Sequence, residues 1–437
     1  MSWDFSTPPE HKADLQWARS FIDKTVIPIE LLLEGLAQPA MDAMLAPLKE
    51  QVKAQGLWAA HLPAEHGGQG RGQMFLALLH EVLGRTELGP EVFGCQAPDS
   101  GNAELIAAGA NEAQRQKWLY PLMRGELRSC FSLTEFANSG SDPTGIQTRC
   151  QHEGDEWVIN GNKWYASNAS VADFIIVMAV TDPNAAPHKR AAMVIVPRGT
   201  PGLTLVRDVG TMSHPHHADP GALCERIGGH TEVRFENCRV PLDHMIGAPG
   251  DGFILAQKRL GGGRIHHAMR MIGQCYRAFD MIKERAVSRM TRGKVLAKQQ
   301  MVQAMIAESY VEIEMARLLV LRAAWTMDRC GPHSKEAQRD IAATKFAVPN
   351  IMLTVIDRAI QLHGSLGYSS DLPLERMYRS GRALRVADGA DEVHKMSLAR
   401  LLLADTEAVD GPPSEFIPTL KQQALETYGD ALKKLST

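Results

Sequence analysis

The chain has 437 residues, 44% hydrophobic and 22% charged, enough for a large core and, at roughly 150 residues per domain, for about three domains. A formal net charge of -3 gives bulk electrostatics no reason to favour nucleic acid or an anionic membrane. Seven cysteines (95, 130, 150, 224, 238, 275 and 330) stand singly without a C-x-x-C pair, which points to reduced thiols in a cytoplasmic protein and away from a zinc site or a disulfide framework.

The start, Met1-Ser2-Trp3-Asp4-Phe5, has neither a basic stretch nor an apolar run, so no leader is read there. No apolar run reaches membrane-spanning length. The first quarter is helical. Leu15, Ala18, Ile22 and Val26 keep helical spacing until Pro28, where an interruption is expected. Further helices are expected over 41–57, 72–83 and 103–119, with the turn-rich Leu62-Pro63-Ala64-Glu65-His66-Gly67-Gly68 between the first two.

From Ser129 to Val240 the pattern changes to short runs rich in β-branched residues, such as Phe174-Ile175-Ile176-Val177 and Ala192-Met193-Val194-Ile195-Val196. Asn160-Gly161 after Trp157-Val158-Ile159 has the composition of a hairpin turn. An antiparallel β domain is expected. Beyond it, no proline occurs between Pro249 and Pro332, and Val302, Met305, Ile306, Ser309, Ile313, Ala316 and Val320 share one helix face. Two long antiparallel helices, 253–290 and 296–328, joined at Thr291-Arg292-Gly293, and two shorter ones, 334–362 and 391–404, form a four-helix bundle. The class is thus multi-domain α+β: a helical domain over 1–127, a β domain over 128–245 and a helical bundle over 246–437.

Local motifs sharpen this order. Phe131-Ser132-Leu133-Thr134-Glu135 with Gly140-Ser141-Asp142, the strand Asn160 to Asn168, Arg289 with Gly293 and Gln300, and Gln361 to Tyr368 together resemble the signatures of acyl-CoA dehydrogenases. Gly263-Arg264-Ile265-His266-His267 and Ala387-Asp388-Gly389-Ala390-Asp391-Glu392-Val393-His394 resemble a branch that is fused to a kinase-like domain in some animal proteins; no kinase portion is read in this stretch.

The resemblance implies FAD, an acyl-CoA substrate and removal of its α-proton by a carboxylate. Aligning the glycine of the family's Tyr-Glu-Gly-Thr stretch puts Asp388 at the base position. Aspartate is one methylene shorter than glutamate, so its carboxylate falls back by about 1.5 Å, one C–C bond. Without the resemblance, Asp388 reads as a helix cap.

For the flavin, the resemblance assigns backbone groups of Phe131, Leu133 and Thr134 to the ring edge. Gly140 and Ser141 go to the pyrophosphate, Ser141 also touching substrate, and Tyr165 and Ser167 stand where the family has Trp and Thr. Ala390 and Glu392 are taken with the cofactor. Arg289, Gln300, Gln361, Gly364 and Ser365 would meet the ADP half of a neighbouring subunit's FAD, which implies a homodimer or homotetramer. Tyr165 could instead be a core aromatic, and Arg289 a solvated charge.

Gly263, Arg264 and His267 fall on the helix that faces the acyl chain in relatives. Arg264 could balance Asp388 or hold an anionic substituent, or be a structural ion pair. His266 and His267 point to different helix faces, so at most one is expected in the pocket. His214-Pro215-His216-His217 with Asp219 reads as a loop excursion better than as a metal site. The expected activity is α,β-dehydrogenation with electrons passed to an electron-transfer flavoprotein, on a substrate hydroxylated or phosphorylated near C4. Alternatives are nitroalkane-type oxidation or elimination through the same aspartate, or a non-catalytic CoA-binding module.

Overall fold

The computed structural model describes residues 6–33, 36–213, 223 and 227–435. The histidine-rich 214–217 stretch and Cys224 lie outside the described residues.

The N-terminal layer is built by α1 (Pro9–Phe21), α2 (Gln38–Ala54), α3 (Gly72–Leu83) and α4 (Asp99–Gly109). Ala18, Ile22 and Val26 are fully buried against Leu45, Val52, Phe75 and Leu79, so the periodicity read from sequence marks a true core face. Pro28 does not end the helical path. The chain widens into a π turn over Ile22–Val26 and continues as Ile27–Glu30; the looser turn removes the clash and the missing N–H that a proline brings. The stretch expected as one helix over 103–119 is broken at Ala110, which is extended, and restarts behind a capping box of Asn111 and Gln114.

The middle layer is a sheet of β1 (Ser129–Ser132), β2 (Arg149–Glu153), β3 (Glu156–Ser167), β4 (Phe174–Val180), β5 (Ala191–Pro197), β6 (Leu203–Asp208), β7 (His230–Pro241) and β8 (Met245–Ile246), in the order β6-β7-β3-β1-β4-β5-β8 with β2 beside β3 and β4. Most pairs are antiparallel, but β1 and β2 each pair with β4 in parallel, so the sheet is mixed. Alternation along β4 and β5 splits their side chains between two cores. Phe174, Ile176, Met193 and Ile195 face the helical layer, with Ile106, Leu119 and Leu255, while Ile175, Val177, Val194 and Val196 face Ile159, Phe235 and Cys238.

The expected hairpin at Asn160-Gly161 is absent from that place. The β2–β3 turn is at Gly154-Asp155, with Gly154 at φ +61. Asn160 and Gly161 instead sit inside β3, at a register shift against β7. Thr148 allows only glycine there, because an added Cβ would lie 2.5 Å from its Oγ1.

The third layer is α5 (Gly252–Ser288), α6 (Gln300–Cys330), α7 (Lys335–His363), α8 (Leu374–Ala383) and α9 (Asp391–Leu403). The α5–α6 connection is a tight β hairpin, Met290–Thr291 against Lys294–Val295, with Arg292 and Gly293 both left-handed. Val302, Ser309, Ile313, Ala316 and Val320 are buried on the expected face. Their core joins α5, α6, α7 and α8 to Ala77 and Leu78 of α3. Helix α3 can approach α5 so closely because Gly84 and Gly273 lie at the crossing, where a Cβ would sit 2.2 Å from the Arg270 carbonyl oxygen and 2.3 Å from that of Glu81. A last helix, α10 (Ile417–Leu435), is exposed almost throughout. No described helix is long and apolar enough to cross a membrane.

Candidate active site

Asp388 lies in the turn between α8 and α9 with φ +55, followed by Gly389 at φ +97. A left-handed non-glycine residue costs about 1–2 kcal/mol, so neighbouring contacts must hold it. Arg264 Nε donates to the Asp388 carbonyl at 3.4 Å and His394 Nε2 donates to it at 3.2 Å. Lys345 Nζ donates to the carbonyls of Leu384 and Gly389 at 2.8 and 3.2 Å. The capping role does not hold: α9 begins at an N-cap, Ala390, without any side-chain cap. Asp391 is committed elsewhere, accepting from Arg385 Nε at 2.8 Å and Asn350 Nδ2 at 3.0 Å.

The Asp388 side chain faces a small cleft lined by Ala97, Ser100, Gly101, Arg259, Gly263, His266, His267 and Arg270. Gly263 leaves open space where a side chain would stand. His267 Nε2 is 3.6 Å from Asp388 Oδ2. His266 also lines the cleft, against the expectation that only one of the two would enter; its ring stacks on His80 at 4.4 Å. Arg264 reaches the backbone of Asp388 and not a carboxylate.

Burial works to raise the pKa of Asp388, but His267, Arg259, Arg264 and Lys345 outweigh it and hold the carboxyl below its usual range. His267 is itself lowered to about 4 by burial, with Asp388 opposing. The two arginines and the lysine act in the same direction as His267, toward an ionised carboxylate. Glu104, beside Arg259, is pushed by burial up to about 8 and stays protonated at neutral pH.

The strands assigned to the flavin lead into this cleft. Phe131 pairs with Ser167 across β1 and β3, and the Arg259 guanidinium lies 4.0 Å from the Phe131 ring. Tyr165 is not a core aromatic: it is 42% exposed, at φ +54, turned outward by a register shift between Lys163 and Ala166. Ser167 Oγ is 3.0 Å from His230 Nδ1. The Leu133 and Thr134 carbonyls are taken by Lys163 Nζ at 2.7 Å and the Trp164 N–H at 3.0 Å, which leaves their N–H groups as what they can offer a ring. A Cβ on Gly140 would press within 3.3 Å of Thr134 Cγ2. An aromatic plane, a hydroxyl and a bare backbone approach thus stand together, a set that fits a flavin.

Three family models match: "Acyl-CoA dehydrogenase, N-terminal domain" over residues 8–126, "middle domain" over 130–221 and "C-terminal domain" over 250–403. The probable acyl-CoA dehydrogenase FadE2 of Mycobacterium tuberculosis is 42% identical over 85% of this chain and 88% of its own length. The chain belongs to the acyl-CoA dehydrogenase family. Acyl-CoA dehydrogenase family member 10 of mouse is 41% identical over 90% of this chain but only 37% of its own length; the chain spans under half of the animal relatives it matches. A solved putative acyl-CoA dehydrogenase from Mycobacterium abscessus superposes with a TM-score of 0.84 at 38% identity, covering 92% of this chain and 99% of that one.

The remaining residues suggested by acyl-CoA dehydrogenase signatures lie elsewhere. Arg289, Gln300, Gln361, Gly364 and Ser365 are all exposed. They share one end of the bundle, since Arg358 of α7 pairs with Glu308 and Glu312 near the start of α6. Ser141 is exposed, Ala390 is the α9 N-cap and Glu392 is exposed on the first turn. Sequence reasoning missed Arg259, Arg270 and Lys345. It also missed the buried Glu135–Lys163 pair, 2.9 Å apart, which fixes the loop after β1. Glu135 further accepts from the N–H groups of Gln147 and Thr148 and from the Thr148 hydroxyl. That network does the anchoring, leaving Phe136 78% exposed and edge-on to Trp164.

Proposed function

We propose that this acyl-CoA dehydrogenase family member oxidises an acyl-CoA thioester to its trans-2-enoyl-CoA, with Asp388 as the base for the α-proton. The observation that carries this reading is a carboxylate held ionised in a fastened left-handed turn and facing a cleft. The α-C–H bond releases its proton to Asp388, and the electron pair left behind forms the new double bond as the β-hydrogen departs as hydride. Bound FAD would supply the acceptor for that hydride. Phe131, Leu133, Thr134, Tyr165 and Ser167 would border its ring, and Gly140 and Ser141 its pyrophosphate. Ala390 and Glu392 would sit beside it. Arg289, Gln300, Gln361, Gly364 and Ser365 would serve the FAD of a second subunit, so a homodimer or homotetramer is the working form. An electron-transfer flavoprotein is the partner proposed for reoxidation. The described cysteines are all unpaired, in keeping with a reducing compartment such as the cytoplasm.

The cleft wall favours a polar acyl group. Arg259, Arg270, His266 and His267 line it where an unbranched alkyl chain would want apolar contacts. A 4-hydroxy- or 4-phospho-acyl-CoA fits this wall, with Gly263 leaving room and the substituent meeting the guanidinium N–H groups that Asn102, His80 and Cys95 do not already take. Anaerobic mixing with paired substituted and plain acyl-CoA of equal chain length tests it through bleaching of the flavin band. Higher kcat/KM for the substituted partner is expected; equal or lower values would remove the substituent from the proposal. Product formed while the flavin stays oxidised would indicate elimination instead.

A further inference from the structure

Lys345 is 1% exposed in the middle of α7, among Ile341, Val348 and Met352 of the bundle core. Lysine is rarely buried without a partner, because desolvating an ammonium is costly. Its partners here are two main-chain carbonyls, Leu384 at 2.8 Å and Gly389 at 3.2 Å. They bracket Asp388, four residues before it and one after it. Contacts from α5 and α9 hold the carbonyl of Asp388 itself, while Lys345 donates to the main chain on both flanks of the turn from one rigid helix, and Asn350 of the same helix adds a tie through Asp391. The turn is the part of the site with least tolerance. Its φ is strained, and its carboxylate hangs on a side chain one methylene shorter than glutamate.

We propose that Lys345 is a positioning residue for catalysis, a buried clamp that fixes the 384–389 turn so that Asp388 reaches the α-proton. This rests on the reading of Asp388 as the base. The groups that act on Asp388 are His267, Arg259 and Arg264 from α5, Lys345 from α7 and His394 from α9; Arg385 and Asp391 pair with each other beside it, and Glu104 lies by Arg259. Burial lowers the pKa of Lys345, while Asp388 and Asp391 work to raise it. In turn Lys345 is one of the cations that hold Asp388 down, so removing it should raise the pKa of the base.

The test compares holoenzyme, Lys345→Met and Lys345→Gln, using the acyl-CoA that bleaches the parent flavin fastest in a straight-chain panel. A displacement near 1 Å can cost ~100-fold in rate. In the Met variant kcat should therefore fall by a factor of that order, with KM and flavin content kept. The acid limb of kcat/KM should move to higher pH, and backbone amides over 384–390 should exchange faster with deuterium. A role in folding alone would lower thermal stability without moving the acid limb. Unchanged kcat, acid limb and amide exchange would overturn the proposal. Lys345→Gln, which keeps a donor and loses the charge, is judged by the same measurements should the Met variant fail to fold. Asp388→Asn run in parallel separates the two ideas: if it still bleaches flavin, the base reading fails, while amide exchange still decides whether Lys345 fixes the turn.

Discussion

A carboxylate acts as a base only when ionised, so the environment of Asp388 sets a pH dependence. Burial acts to raise its pKa, but His267, Arg259, Arg264 and Lys345 hold it lowered. If Asp388 is the base, it stays charged as pH falls from neutrality, and kcat/KM should carry no acid limb from this group down to about pH 5. A limb centred above that pH would show that burial wins. Arg259→Met removes one of those cations. The acid limb should rise, and any preference for an anionic acyl substituent should shrink by roughly 10-fold or more, the loss of a charge-assisted hydrogen bond worth about 1.5–3 kcal/mol; kcat/KM ratios for paired substrates measure it. Asp388 was singled out in the sequence because its glycine-flanked motif resembles a known one. Arg259 and Lys345 could not, since one cation on a long helix looks like a solvated one until the helix facing it is known.

Helices with clean apolar periodicity were legible nearly to their ends: 72–83 matches α3 residue for residue, and 334–362 differs from α7 by one residue at each end. Long-range geometry was not. Nothing local tells a bulge at Gly161 from a hairpin, because both need a glycine and a polar neighbour; the neighbouring strand decides. Helix α8 buries Leu374, Met377 and Gly381 at helical spacing, a stripe the sequence reading passed over because it spans only ten residues. The helix crossing at Gly84 and Gly273 makes a further expectation. Gly273→Ala drives a methyl toward the Glu81 carbonyl and should destabilise by about 1–3 kcal/mol through overpacking, measured by urea unfolding; a neutral result would mean α3 and α5 can part freely. In the β layer, burial opposes ionisation of Glu135, yet Lys163 and Thr148 bring its carboxyl down to about 2. Burial lowers Lys163 to about 8. Breaking the pair with Lys163→Met leaves the charge of Glu135 uncompensated and should cost about 3–5 kcal/mol, with loss of flavin as the loop after β1 loosens. Full stability and flavin content in that variant would show that the pair is not what fixes the loop.

The order of helical layer, sheet and bundle followed from composition and periodicity alone, because each layer buries its own kind of pattern. At the scale of the whole molecule, Arg289, Gln300 and Gln361 stand at one end of the bundle in solvent. If they complete a second subunit's cofactor site, flavin retention must follow association. Arg289→Ala should shed flavin on dilution while keeping its fold, seen as separation of the visible band from the protein band in sedimentation. A monomer that retains all its flavin would count against a shared site. The proton-removal step itself is tested by Asp388→Asn, which keeps the shape and loses the charge. Rapid mixing of the flavin-loaded variant with acyl-CoA should show bleaching slowed by about 10³-fold or more, with substrate binding intact. Bleaching at the parent rate would mean that another group takes the proton.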